Sequence, residues 1–398
     1  MKYCYVLFSM LFGLQVQARP ESEALKLVQD ALRNNQQECL VDSNSSQDRF
    51  YFQTLKFKSR HNDPGDNPYY TRYTKYGCKS GAKGSAVVSP GRTESSLKYL
   101  ETAYDLIERG YSPVFVIDHR GQGLSPRLLE NTNIGHVKYF SHYVDDFEDF
   151  MNQIVMGKNS KANKKKLYLL SNSMGGAISI LYFQRMRENS PIRHALLFGP
   201  MIKINFDGVN LEDQRTESGV RLQTSLLCLS GLTIGGLSCD TYANPKWSDY
   251  DPNARSLDPQ NPNPGNLTHS LTRFQARNFL WDEAYVRRDE SRYSANEIWE
   301  GMALGGPSVR WTWQSTKYNQ KMRKKKNLRK IKTPLTIVTG DKDIRADLEG
   351  HRKFCQDLKN VGGACEMTLL KNSFHEIMVE SDFYRNQAMK IMFQKFEL

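Results

Sequence analysis

The chain has 398 residues, long enough for one large or two smaller domains and too long for a fold held only by staples. Hydrophobic residues are 39% and charged residues 25%, with 20 Tyr and 19 Phe, which excludes a disordered or fibrous chain. The formal net charge of +12 favours anionic partners such as acidic lipid headgroups, nucleic acid or a cell wall, without choosing among them.

Residues 1–18, MKYCYVLFSMLFGLQVQA, read as a signal peptide. Lys2 is a minimal positive start, Tyr5 to Leu14 an apolar run, and Val16-Gln17-Ala18 supplies small residues before a cut after Ala18. The run is short for a membrane span; the alternative is an uncleaved anchor or a buried first helix. The expectation is an exported protein of the periplasm or envelope, or one released to the medium. Residues 19–48 form a helical extension ending in the polar VDSNSSQD.

The core begins at residue 49. Phe50–Lys58 and Tyr70–Tyr76 alternate apolar and polar residues and predict an antiparallel pair around a turn at HNDPGDNP. Strands and helices then alternate: strand Gly84–Ser89, helix Glu94–Arg109, strand Ser112–Ile117, helix Tyr143–Met156, strand Lys166–Ser171, helix Met174–Arg187 and strand Arg193–Phe198. This rhythm predicts parallel βαβ units on a buried sheet. It breaks over residues 201–306, rich in Gly, Pro, Asn and aromatics and too long for a plain loop, so a cap subdomain is expected there. From 307 to 398 it resumes with a helix near Trp311, strand Pro334–Thr339, helix Ala346–Leu358, strand Cys365–Leu370 and helix Ser381–Phe396.

Cys4 would leave with the signal. Six cysteines remain, an even count that suggests disulfides in an exported chain and allows 15 pairings. Proximity favours Cys39–Cys78, Cys228–Cys239 and Cys355–Cys365; buried free thiols are the alternative. The spacings do not suit a zinc site.

One junction carries chemistry. LYLLSNSMGGAIS places Ser173 between an apolar strand and a helix, the layout of a nucleophile elbow. Small residues are needed two positions either side; Gly175 fits, and Ser171 stands where glycine is usual. A helix-capping serine is the structural alternative. A serine nucleophile needs a base and the base an orienting carboxylate, in the order Ser, acid, His for this topology. LTIVTGDKDIRAD offers Asp343, with Asp341 second, and LLKNSFHEI offers His375. Donors for the developing oxyanion are expected from the N–H groups of Met174 and of Arg92, the latter in the loop SPGRTESS.

VVSPGRTESSLKYLETAYDLIERGY, DHRGQGLSPRLLENTNIGHVKYFSHYVDDF, LLSNSMGGAIS, GDKD and FHEI together resemble bacterial lysophospholipases of the monoacylglycerol-lipase-like branch of the α/β-hydrolases, serine aminopeptidase S33-type enzymes. The resemblance runs from about Phe50 to Leu398. It implies an α/β-hydrolase fold with an inserted cap, a Ser173–Asp343–His375 triad, oxyanion donors at Arg92 and Met174, and no cofactor. Ser171, and Ser89-Pro90-Gly91 where many relatives have His-Gly, depart from the pattern. Asp118, His119 and Arg120 read as a structural network beside the site.

The implied activity is hydrolysis of a carboxylic ester, with a lysophospholipid as substrate. A monoacylglycerol lipase or general esterase is the alternative, and a non-catalytic lipid-binding protein is the alternative of another class. LLCLSGLTIGGL (226–237) suits an acyl-chain pocket or a bilayer contact, and KANKKK (161–166) and KMRKKKNLRK (321–330) suit peripheral contact with an anionic membrane. Nucleic acid is not an expected partner.

Overall fold

The structure, a computed structural model, describes residues 20–24, 26–27, 52–206, 216–244, 267–279, 302 and 304–397. The expected signal peptide and most of the expected extension lie outside the described residues, as do large parts of the expected cap.

Eight strands form one sheet: β1 (Phe52–Lys58), β2 (Tyr70–Tyr76), β3 (Gly84–Ser89), β4 (Tyr111–Asp118), β5 (Leu167–Asn172), β6 (Ile192–Phe198), β7 (Leu335–Gly340) and β8 (Cys365–Leu370). Their order across the sheet is β1-β2-β4-β3-β5-β6-β7-β8. β1 and β2 pair antiparallel, as the alternation predicts, and β2 pairs antiparallel with β4; every other pair is parallel. β3, β4, β5 and β7 are buried along their whole length, which explains their unbroken apolar runs.

Helices cover both faces. α1 (Leu100–Glu108) and the last helix, α8 (Asp382–Phe396), pack on one face with Ala86, Val88, Val114 and Val116. α2 (Ser141–Asp149), α3 (Met174–Met186), α6 (Val309–Met322) and α7 (Leu348–Asn360) pack on the other with Val87, Phe115 and Ile117. Neighbouring strand residues thus enter opposite cores, the period-2 consequence of the pleat.

Several boundaries differ from the sequence reading. The helix expected from Glu94 begins as a 3-10 turn at Ser96–Tyr99, because the Glu94 carboxylate turns back onto the Gly91 N–H instead of entering a helix. α2 ends at Asp149 and passes into a π-helical turn, Phe150–Val155. α7 starts at Leu348 because Asp347 is its N-cap, accepting from the Gly350 N–H at 2.5 Å.

Within the expected cap, α4 (Glu217–Ser230) and α5 (Leu271–Phe279) are described. Glu217 of α4 pairs with Arg323 at the end of α6, and Arg221 with Gln320. Disulfides Cys228–Cys239 and Cys355–Cys365 are formed as proximity predicts; the first ties the end of α4 to the following loop, the second ties α7 to β8. Cys78 is also disulfide-bonded, and its expected partner Cys39 lies outside the described residues. Among the described residues no helix is long and apolar enough to cross a membrane.

Candidate active site

Ser173 stands between β5 and α3 with φ 47° and ψ −114°, a conformation that costs a non-glycine residue strain. Backbone bonds pin the turn: its N–H donates to Phe198 O at 3.0 Å, and its carbonyl accepts from Gly176 at 3.0 Å and Met201 at 2.8 Å. The first turn of α3 passes under the loop after β3 so closely that a Cβ on Gly175 would lie 1.9 Å from Ser89 O. Only glycine fits there. Ser171, in the place of the usual glycine, is fully buried and its hydroxyl has no hydrogen-bond partner among the described residues.

Asp343 follows β7 and His375 follows β8. Nδ1–H of His375 donates to Asp343 Oδ2 at 2.7 Å, and both side chains are buried. The other carboxylate oxygen accepts from the N–H groups of Arg345 at 2.8 Å and Ala346 at 3.0 Å. Burial works against the charged form of either group. For Asp343 the His375 partner and the two backbone donors outweigh burial and hold the carboxyl below its ordinary value. For His375 the neighbouring Asp343, with Glu376, outweighs burial and the opposing Arg345, and its pKa is raised. Asp341, the second candidate acid, is committed elsewhere: its Oδ1 accepts from the Asn372 N–H at 2.5 Å.

Met174 is the first residue of α3, so its N–H has no acceptor within the helix. The Arg92 N–H has no acceptor among the described residues. Its neighbour Thr93 has φ 64°, unusual for a β-branched residue, so strain is concentrated on the elbow and on the loop facing it.

Three features escape the sequence reading. Gly199 follows β6 with φ 44°, and a Cβ there would meet Asp343 Oδ2 at 3.0 Å and His375 Nδ1 at 3.1 Å. A Gly-Pro step at a strand end is its only sequence signal. Arg345 lies beside the acid it follows. Glu94 is the third: buried, it accepts from the Gly91 N–H, Asn172 Nδ2, Tyr99 OH and Lys98 Nζ, and Lys98 also pairs with Glu376 at 3.0 Å. One carboxylate thus joins the loop after β3, the residue before Ser173 and the residue after His375. Glu94→Ala is expected to cost about 3 kcal/mol, because it leaves the Gly91, Asn172 and Tyr99 donors without their acceptor and leaves the buried Lys98 ammonium with Glu376 alone. Chemical unfolding measures this; a loss under about 1 kcal/mol would mean that water replaces the carboxylate.

The Asp118-His119-Arg120 segment forms a buried network. Asp118 accepts from the Ser96 N–H at 2.7 Å and hydroxyl at 2.6 Å, His119 bonds the Ser89 hydroxyl at 2.9 Å, and Arg120 pairs with Asp146 at 2.8 Å. Burial holds His119 neutral, with a pKa lowered to about 3. Among the described residues no group of three or more His, Cys, Asp or Glu is arranged to hold a metal ion.

Residues 80–262 match the family described as serine aminopeptidase, S33. The chain is 29% identical over 309 residues to lysophospholipase L2 of Escherichia coli, a match covering 76% of this chain and 77% of that one. It is 26% identical over 312 residues to the probable lysophospholipase L2 of Haemophilus influenzae, covering 78% and 83%. Among solved structures, a soluble variant of monoglyceride lipase from Saccharomyces cerevisiae superimposes with a TM-score of 0.57 at 19% identity, covering 86% of this chain and 95% of that one. At that identity the structural likeness speaks for the fold.

Proposed function

We propose that this chain, which has the fold of the α/β-hydrolases and resembles the lysophospholipase relatives over 76% of its length, is a lysophospholipase that releases a fatty acid from single-chain phospholipids. The carrying observation is the 2.7 Å His375–Asp343 bond at the ends of two strands, beside a strained Ser173 elbow. Ser173 Oγ attacks the acyl carbonyl as His375 takes its proton. Asp343 holds the imidazole in the tautomer that leaves Nε2 free to accept, and stabilises the imidazolium. The N–H groups of Met174 and Arg92 receive the developing oxyanion. His375 then protonates the departing glycerophospho alcohol and activates the water that frees the acid. The test is fatty-acid release from lysophosphatidylcholine, lysophosphatidylethanolamine, a monoacylglycerol and a nitrophenyl ester. Turnover of the last two alone would keep the ester chemistry and discard the phospholipid.

Contact with an anionic lipid surface belongs to the same reading. On α4, Leu222, Leu226 and Leu229 are about 60–72% exposed at helical spacing, and Leu232 and Ile234 are similarly exposed in the loop that the Cys228–Cys239 bridge closes. The exposed Lys317, Lys321, Lys324, Lys325 and Lys326 lie on and just after the packed partner α6, supplying charge complementary to acidic headgroups. Leu226→Asp and Leu229→Asp are each expected to weaken binding to phosphatidylglycerol vesicles about tenfold, read by co-sedimentation. Unchanged binding would remove this surface from the reading. Export to the periplasm or envelope is part of the proposal too, supported by the signal-like residues 1–18 and the two disulfides. Fractionation of cells expressing the full chain tests it; cytoplasmic recovery would overturn it.

A further inference from the structure

We infer that Glu380 and His269 are positioning residues for the proposed general base: they fix the loop that carries His375 by tying it to residues 267–270, which lead into α5. The inference rests on the ester-hydrolase reading and names the residues that set its base.

His375 lies on the loop between β8 and α8, and both of its chain neighbours are held. The Phe374 N–H donates to Glu380 Oε1 at 3.0 Å, and the Glu376 N–H donates to the Leu267 carbonyl at 2.9 Å. Glu380 is fully buried. Its Oε2 accepts from the Ser381 N–H and from the His269 N–H, each at 2.9 Å. A carboxylate only accepts, so the His269 ring presents Nδ1–H to it, 3.0 Å from Oε1 and 3.2 Å from Oε2. The same ring stacks on Phe374 with centres 4.2 Å apart and lies 5.1 Å from the Tyr384 ring. The Thr268 hydroxyl adds a bond to the Val379 carbonyl at 2.8 Å.

Residues 267–270 are themselves anchored. Ser270 Oγ accepts from the Arg273 N–H at 3.0 Å, and the buried Arg273 side chain pairs with Glu101 on α1 and Asp382 on α8, both at 2.9 Å. A base acts from a narrow range of positions, and a displacement of about 1 Å can cost about a hundredfold in rate. A connecting loop does not hold such a position by itself. Here one carboxylate gathers N–H donors from residues 269, 374 and 381 and fixes the chain before His375, while the Leu267 carbonyl fixes it after. His269 acts twice, bonding that carboxylate and packing on the residue that precedes the base.

The test uses the full chain with His269→Ala, His269→Asn, His269→Phe and Glu380→Gln. Asparagine offers an amide N–H in place of Nδ1–H; phenylalanine keeps the stacking and loses the donor. Glutamine at 380 turns an amide NH2 toward groups that need an acceptor. The His269 side chain is 37% exposed, so its variants decide the matter even if Glu380→Gln does not fold. His269→Ala is expected to slow fluorophosphonate labelling of Ser173 about tenfold and to lower kcat by the same factor on nitrophenyl acetate and lysophosphatidylcholine, with KM unmoved and labelling still running to completion. His269→Asn should recover most of the rate and His269→Phe little of it. Unchanged labelling and nitrophenyl acetate turnover, with only the KM for lysophosphatidylcholine raised, would overturn the inference and leave these residues a part in substrate access. A lower labelling end-point at an unchanged rate would also overturn it, since that is a folding defect. A wild type active on nitrophenyl acetate but not on lysophosphatidylcholine discards the phospholipid substrate, and the slowed labelling of His269→Ala still supports the positioning role. A wild type that neither labels nor cleaves any ester discards the hydrolase reading and this inference together.

Discussion

Ser173→Ala is expected to abolish ester hydrolysis, with kcat falling by about 10⁵–10⁶-fold, while the fold and its stability stay as they are. The magnitude is that of removing a serine whose partners act only through it. Alanine keeps the Cβ, so the backbone at φ 47° stays as strained as before. Ser173→Gly separates the two consequences of this position. It should lose activity equally but gain about 1 kcal/mol of stability, because glycine adopts that conformation without penalty. Fatty-acid release, fluorophosphonate labelling and thermal unfolding of the three proteins check the set. Residual activity above about a hundredth of wild type in Ser173→Ala would exclude Ser173 as the nucleophile. A Ser173→Gly protein less stable than wild type would mean that the elbow is not strained in solution.

Asp343→Asn should be nearly as damaging, lowering kcat by about 10⁴-fold through the wrong imidazole tautomer. It also carries a pH signature. His375 must be neutral to accept the serine proton, and its pKa lies above the ordinary value of about 6.5. The acid limb of the wild-type profile is therefore expected above pH 6.5. Without the carboxylate, burial and Arg345 are left to oppose the imidazolium against Glu376 alone, and the midpoint should move below 6.5. A limb unmoved in Asp343→Asn would show that another group sets it. Stability follows the same pair with opposite signs. The depressed Asp343 contributes above about pH 4 and loses its contribution as pH falls through its folded value. The raised His375 contributes fully below about pH 6.5 and loses its contribution as pH rises through its folded value. The stability difference between wild type and Asp343→Asn should thus be widest between those limits.

The sheet was legible in the sequence because parallel strands buried on both faces leave unbroken apolar runs, as in GSAVVS and LTIVTG. The elbow was legible because Ser173 and Gly175 obey a steric rule confined to a few adjacent residues. Glu94 and Gly199 were not legible. Glu94 looks like an ordinary early-helix acid; its four donors come from residues 91, 98, 99 and 172, and no local pattern announces them. Gly199 is shaped by residues 343 and 375, far along the chain. Arg345 was not legible for a related reason: it is its backbone N–H that holds Asp343, a contact that no side-chain pattern announces. The apolar run 226–237 gave its composition but not its direction, since α4 turns its leucines outward.

The order of strands across the sheet has a consequence for how the protein matures. β5, β6, β7 and β8 are neighbours in both sequence and space, and the elbow, Gly199, the acid and the base hang from their ends one after another. The proposed nucleophile is in place once residues up to about 201 have folded, but its base arrives only with residue 375, after β8 has docked. A nascent chain therefore carries an unpartnered serine through most of its synthesis, and an onset of esterase activity would mark the completion of its C-terminal edge.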